Sequence, residues 1–286
     1  MSVFFMEAEP PEEAVTLDEA MTAAIKAVLS VSLGQAMANA AFDSELKSDL
    51  TDRVMARTSH VERRRQSNLE SIFRSAAKVK SADIKSTGHL HGGWVGLFVS
   101  GAQDAEGELE REVWSRIFAT EVQAPGSVAR RTLHFLRQMD VWELEAFMDY
   151  AAFAFAFESG WRFMFEENIA RREMWSYGRE IDITQHWVDI GLLSPQVTTI
   201  ESINLRGLCI GYNGKRWQLS AVQPTEGTAA NPQSKPIALG YRKFTAIGQQ
   251  IANSIPTKTF NGYAKNVIQA LNGLEAFRFD LVEDSA

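Results

Sequence analysis

Apolar residues recur at helical spacing through much of the first two thirds of this chain. From Asp43 to about Lys80, Leu46, Leu50, Val54, Val61, Leu69, Ile72, Phe73 and Ala76 fall every three or four residues or close multiples, with charges between them. That spacing predicts one long amphipathic helix, packed on another helix or on a partner chain. Upstream, Thr16-Leu-Asp-Glu19 has the spacing of a capping box, in which hydroxyl and carboxylate satisfy free amides at a helix start, so a helix of about two dozen residues should follow. Between Ser81 and Gly107, five glycines surround His89, His91 and Trp94, which favours loop with one short helix at Trp94 to Ser100. A helix from about Glu108 to Val122 should stop at Ala124-Pro-Gly126, with Ser127 as N-cap of the next one, Val128 to Met139. Asp140-Val-Trp-Glu143 offers a second capping box, opening an apolar helix through Phe157. Phe153, Phe155, Phe157, Trp161, Phe163 and Phe165 are spaced by two, so on a helix they cannot share one side. The stretch is then buried all round or docks a partner.

Around Ile181 the pattern changes. A short helix from Thr184 to Leu192 ends at Gly191-Leu-Leu-Ser-Pro195, and β-branched residues follow from Val197 to Ile203. Asn213-Gly214, set between Ile210-Gly-Tyr212 and Lys215-Arg-Trp-Gln-Leu219, predicts a β-hairpin because both turn residues tolerate positive φ. A polar loop from Gln223 to Lys235 precedes a strand at Ile237 to Tyr241 and a helix led by Phe244-Thr-Ala-Ile-Gly248. Gly262 to Leu274 adds a helix, and Phe277 to Val282 an edge strand. Helix, hairpin, then helix is the order of a winged-helix-like module.

Of 286 residues, 45% are hydrophobic, enough for a real core, and the single cysteine, Cys209, excludes an internal disulfide framework. The opening Met-Ser-Val-Phe-Phe runs straight into Glu7, Glu9, Glu12 and Glu13, so no export signal is expected. Neither the Ala-rich stretch from Ala20 to Phe42 nor the run from Phe147 to Phe157 has the roughly 20 uninterrupted apolar residues that a membrane span needs. The expected place is the cytoplasm. The net charge of −7 is uneven: from Ile181 to Leu274 eight basic residues stand against four acidic ones, while Arg57 to Arg74, centred on Arg63-Arg-Arg65, forms a second basic cluster. Such asymmetry can attract polyanions.

Little in the chain carries catalytic chemistry. His89-Leu-His91-Gly-Gly93 could ligate a metal, yet no third ligand stands at a recognisable spacing. Ser127 has no His or Asp at a triad spacing, and Glu158, Glu166, Glu167 and Glu173 lack the Glu-x-x-His partners of a di-metal bundle. No phosphate-cradling Gly loop ends in Lys-Ser/Thr, and no cofactor is expected. Nucleic-acid contact has more support: the hairpin carries Lys215, Arg216 and Trp217, and Arg242 and Lys243 precede the next helix. The competing account of these charges is solvation of an exposed turn.

The segment Val113-Trp-Ser-Arg-Ile-Phe-Ala-Thr-Glu-Val-Gln-Ala-Pro-Gly-Ser-Val-Ala-Arg-Arg-Thr-Leu133 resembles the hallmark of the bacterial domain-of-unknown-function family numbered 2806. Trp114, Glu121, Pro125, Gly126, Ser127, Arg131, Thr132 and Leu133 fall on its pattern. Arg65-Gln-Ser-Asn-Leu-Glu-Ser-Ile72, Ile190-Gly-Leu-Leu193 and Phe244-Thr-Ala-Ile-Gly248 resemble its other landmarks, so the likeness runs from about Arg65 to Gly248. It implies no activity and no functional residue. Its layout is similar to that of the abortive-infection alpha proteins of bacteria, which implies a role in phage defence by analogy. Physically, Pro125-Gly126 should turn the chain between two helices, Ser127 cap the second, and Arg131 find an acidic partner such as Glu121.

The expectation is a mainly α protein: an acidic tail at 1–15, a helical domain at 16–178 with a Gly-rich break near 81–107, and a small winged-helix-like α+β module at 179–286. It reads as a non-enzymatic regulatory or interaction protein of bacterial or phage origin. The helical region would assemble with itself or a protein partner, and the C-terminal module would contact DNA. The alternative is a defence effector with metal-dependent hydrolase or nuclease activity built around His89 and His91.

Overall fold

The computed structural model describes residues 19–40, 49–78, 89–177, 183–201, 208–221, 238–256, 258–273 and 277–282. The expected acidic tail, Thr16 of the first capping box and the polar loop from Gln223 to Lys235 lie outside them. The chain divides into two compact units, residues 1–67 and 68–286.

In the first unit, α1 (Glu19–Leu33) and α2 (Gln35–Ala40) are parted by Gly34, whose φ of 93° ends the first helix. The predicted amphipathic helix is α3 (Leu50–Ala76), and His60 Nε2 donates to the Val31 carbonyl at 3.2 Å. In its basic cluster, Arg65 pairs with Glu62 at 3.1 Å, and Arg63 Nε donates to the Ser59 carbonyl at 3.1 Å.

The second unit begins with the end of α3 and continues through α4 (Gly92–Ala102), α5 (Glu108–Gln123), α6 (Arg130–Gln138) and α7 (Val141–Ala151). These four helices lie close to the predicted spans except for the last. Asn68 holds the turn after α4, donating to the carbonyls of Gln103 at 2.9 Å and Ala105 at 2.8 Å. The α7 start follows the predicted box in part, since the Glu143 carboxylate accepts the Asp140 N–H at 2.9 Å.

Beyond α7 the expectation fails. The fold is not mainly α with a small winged module, because the C-terminal half is built on a seven-stranded sheet in the order β3-β6-β2-β1-β4-β5-β7, every pairing antiparallel. Its strands are β1 (Phe155–Phe157), β2 (Arg162–Phe165), β3 (Leu193–Glu201), β4 (Cys209–Tyr212), β5 (Lys215–Ala221), β6 (Ala238–Phe244) and β7 (Phe277–Val282). Between them run α8 (Asn168–Trp175), α9 (Thr184–Asp189), α10 (Ala246–Ser254) and α11 (Tyr263–Asn272).

The physical reason is the period of two in the phenylalanine run. Alternation places Phe155 and Phe157, and across from them Phe163 and Phe165, on one face of a sheet. A helix would have scattered them. Their rings meet Tyr241, Trp217 and, from α11, Tyr263, while Phe147 and Tyr150 of α7 pack on Phe244, which alternates onto the opposite face. The strands that a helical reading hid are therefore the middle of the sheet, with helices on both sides, and Phe155, Phe163, Met164 and Phe165 are buried there.

The local hairpin expectation holds. β4 and β5 pair through Asn213 at φ 48° and Gly214 at φ 79°, the positive values that the turn requires. The last strand, β7, lies at the sheet edge against β5. Among the described residues, no helix is long and apolar enough to cross a membrane.

Candidate functional site

The Pro-Gly corner is a structural lock. Glu121 is almost completely buried at 2% exposure, and its carboxylate accepts the N–H of Gly126 at 2.7 Å and of Val128 at 2.9 Å. It serves the backbone of the turn and not Arg131, which is exposed. Nor does Ser127 cap α6. The cap residue is Ala129, whose N–H goes to Gln250 Oε1 of α10 at 3.1 Å, and Thr132 Oγ1 donates to the same oxygen. Gln250 Nε2 returns a bond to the Ser127 carbonyl at 2.9 Å. Trp114 is buried on the stack of Trp94 and Phe98, and Trp94 Nε1 donates to the Val128 carbonyl at 2.9 Å. Pro125 and Gly126, at φ 89°, complete a corner held by Glu121, Trp94 and Gln250.

The histidines of the Gly-rich segment take local roles. His91 Nδ1 accepts the Gly93 N–H at 3.1 Å as the N-cap of α4 and lies 2.7 Å from Arg130 Nη2; His89 is exposed. Among the described residues, no three His, Cys, Asp or Glu side chains gather as a metal site would need.

The basic residues proposed for nucleic-acid contact do not form one patch. Neighbours on a strand point to opposite faces, so Lys215 parts from Arg216 and Arg242 from Lys243. Trp217 is buried in the core beside Phe155. Arg242 is committed internally, its Nε 2.6 Å from Glu166 and its Nη1 donating to the carbonyls of Ser194 at 2.7 Å and Pro195 at 3.0 Å. Lys243 lies 5.8 Å over the Tyr241 ring.

Two of the five, Lys215 and Arg216, instead line a cavity of about 550 Å³ together with two cations that sequence reasoning missed, Arg162 and Lys258. Its floor is one cross-strand row of the sheet: Arg162 pairs with Ala156, Ala156 with Gly211, Gly211 with Arg216, and Arg216 with Val282. Directly paired residues share a face, so two arginines stand on the same side with only an alanine and a glycine between them. The ends of α7 and α10 form the walls, through Met148, Ala151, Ala252, Ile255 and Pro256.

Several bonds hold this geometry. Gln249 of α10 accepts the Arg162 N–H at 2.9 Å and donates to the Gly160 carbonyl at 3.1 Å, while Trp161 Nε1 donates to the Phe244 carbonyl at 2.9 Å. Tyr212 donates its hydroxyl to the Ala152 carbonyl at 2.9 Å, joining β4 to the end of α7. Lys258 is paired with Asp149 of α7.

Arg162 is the unusual group. Its backbone is bonded to Gln249, yet among the described residues no carboxylate or other acceptor engages its guanidinium. Burial alone acts on it, pulling its pKa below the ordinary arginine value. A guanidinium taken partly out of water without a counter-charge is costly unless an anion arrives to meet it. The clue in the sequence was a charge set between Trp161 and Phe163 in an alternating run, legible only once that run is read as strand.

No curated protein and no solved structure matches this chain. One family model does, described as "Protein of unknown function (DUF2806)", and it spans residues 52–268, taking in the corner, the sheet strands β1 to β6 and the cavity row from Arg162 to Arg216. By that match, over well more than half its length, the chain belongs to the DUF2806 family.

Proposed function

We propose that this protein is a non-enzymatic regulatory or interaction protein whose sheet-bearing body receives a negatively charged partner in the basic cavity. The observation that carries the reading is Arg162: a partly buried guanidinium with no acidic partner among the described residues, opening on a cavity that also holds Arg216 and Lys258, with Lys215 at its rim. Arginine meets carboxylates and phosphates through two parallel N–H bonds, and such bonds are roughly twice as strong as neutral ones. A bound anion would supply the acceptors that the fold withholds. Lys215 and Arg216, at the exposed turn after β4, are the part of the expected DNA contact that this reading keeps. On the likeness in layout alone, its setting would be phage defence.

The test is equilibrium binding at low ionic strength, by calorimetry with inorganic pyrophosphate and by fluorescence anisotropy with a labelled oligonucleotide. Binding that weakens with salt and is lost in Arg162→Met is the expected result. Absence of binding by either probe would remove the proposal.

A further inference from the structure

Resting on that reading of the cavity, we infer that its ligand is a small phosphomonoester of mononucleotide size, and not a stretch of nucleic acid. Three features narrow the anion to this class.

The first is size. About 550 Å³ falls within the range of roughly 300–1,000 Å³ typical of small-molecule sites. A lone phosphate would leave most of it unfilled, and a polymer needs an open track.

The second is the placing of the charges. Arg162 on β2 and Arg216 on β5 stand three strand spacings apart, about 14 Å between backbones, with Ala156 and Gly211 between them. Two long guanidinium side chains on that row can close on one group from opposite sides. Lys258 is neutralised by Asp149 and Lys215 alternates to the other face of β5, whereas no carboxylate pairs with Arg162 or Arg216 among the described residues. Two unpaired guanidinium groups exceed what one carboxylate ligand would need, and they suit the charge of about −1.5 to −2 on a phosphomonoester.

The third is the opposite wall. Met148 and Pro256, half-buried and backed by the buried Ala151, Ala252 and Ile255, present an apolar surface beside the basic row, so the ligand has an organic body to set against it. An anionic head on a compact body with an apolar face satisfies both sides at once.

The experiment is calorimetry of the full chain against the ribonucleoside 5′-monophosphates, the corresponding nucleosides, inorganic phosphate, and oligonucleotides with a 5′-phosphate or a 5′-hydroxyl. It is repeated on Arg162→Met and on Ala156→Leu, which fills the floor without changing charge; thermal melts confirm that both variants fold. At least one monophosphate should bind about tenfold or more tightly than its nucleoside and than phosphate alone, and both variants should lose about tenfold or more. If phosphate alone binds as well as every monophosphate, or if oligonucleotides bind best whatever their 5′ end and Ala156→Leu leaves them unaffected, this inference falls while the anion-receptor proposal stands. Preference for a 5′-phosphorylated strand end over the free monophosphates overturns the mononucleotide size in the same way. If no anion binds, both fall.

Discussion

Gly248 and Leu192 touch more closely than any other residue type would allow: a Cβ built on Gly248 would lie 2.0 Å from the Leu192 carbonyl oxygen. The same carbonyl accepts the Thr245 N–H at 2.9 Å, so the start of α10 is pinned against the segment that leads into β3. Both residues lie within the span that matches the family, and the contact gives glycine at 248 a steric reason. Because the opposing atom is backbone, Gly248→Ala has no side chain to push aside. It should destabilise the protein by about 3 kcal/mol or more, or prevent folding, as read from denaturant midpoints.

Glu121 should behave as a structural residue. With two backbone N–H donors on a buried carboxylate, Glu121→Ala strands both amides, and a loss of about 3 kcal/mol is expected. Arg131→Ala, at an exposed position, should cost less than about 0.5 kcal/mol. Equal effects in chemical denaturation would contradict the assignment of Glu121 to the turn.

The adjacent cations of β6 should separate in the same assay. Arg242→Ala removes a shielded ion pair and two carbonyl contacts, leaving Glu166 with Arg171 alone, and should cost about 3 kcal/mol. Lys243→Ala loses only a cation–π contact at an exposed position and should cost about 1 kcal/mol or less. A reversed order would mean that the ion pair does not form in solution.

Alkaline pH should weaken the fold through Tyr150. Burial pushes its hydroxyl up to about 12, against about 10 in the unfolded chain. The folded state thus favours the protonated phenol, so this contribution is intact below pH 10 and is lost progressively as pH rises from about 10 towards 12. The slope for this group reaches about 1.4 kcal/mol per pH unit. Tyr263, Tyr212 and Tyr177 are shifted in the same direction, chiefly by desolvation. Tyr150→Phe should flatten the denaturation profile above pH 10 without abolishing its fall; an unchanged profile would argue that Tyr150 is accessible to water.

Arg162→Met should raise stability. Replacing an unpaired, partly buried cation with an apolar chain of similar length removes a desolvation cost, so a gain of about 1 kcal/mol is expected together with loss of anion binding. A fall in melting temperature in the absence of ligand would show that Arg162 supports the fold.

Much of the local structure was legible along the chain because its signals are local. Pro125-Gly126 breaks α5 from α6, Glu143 meets the Asp140 amide, and Asn213-Gly214 turns β4 into β5, each through backbone preferences of a few adjacent residues. Roles for single side chains in the corner were not legible. Glu121 was expected to face Arg131 and Ser127 to cap α6, whereas the carboxylate took the backbone amides and Gln250, more than a hundred residues away, took the helix start.

The amino-acid order alone determined the approximate spans of α3 to α6, the turns at Pro125-Gly126 and Asn213-Gly214, and that Phe155 to Phe165 is strongly apolar. Only the tertiary structure decided that this run lies in the middle of a sheet, because a period of two confers stability when neighbouring strands and covering helices exist to bury it. The cavity follows from the same cause. Arg162, Arg216 and Lys258 are far apart in sequence, and their charges meet only through strand register and the packing of α7 and α10 on that face.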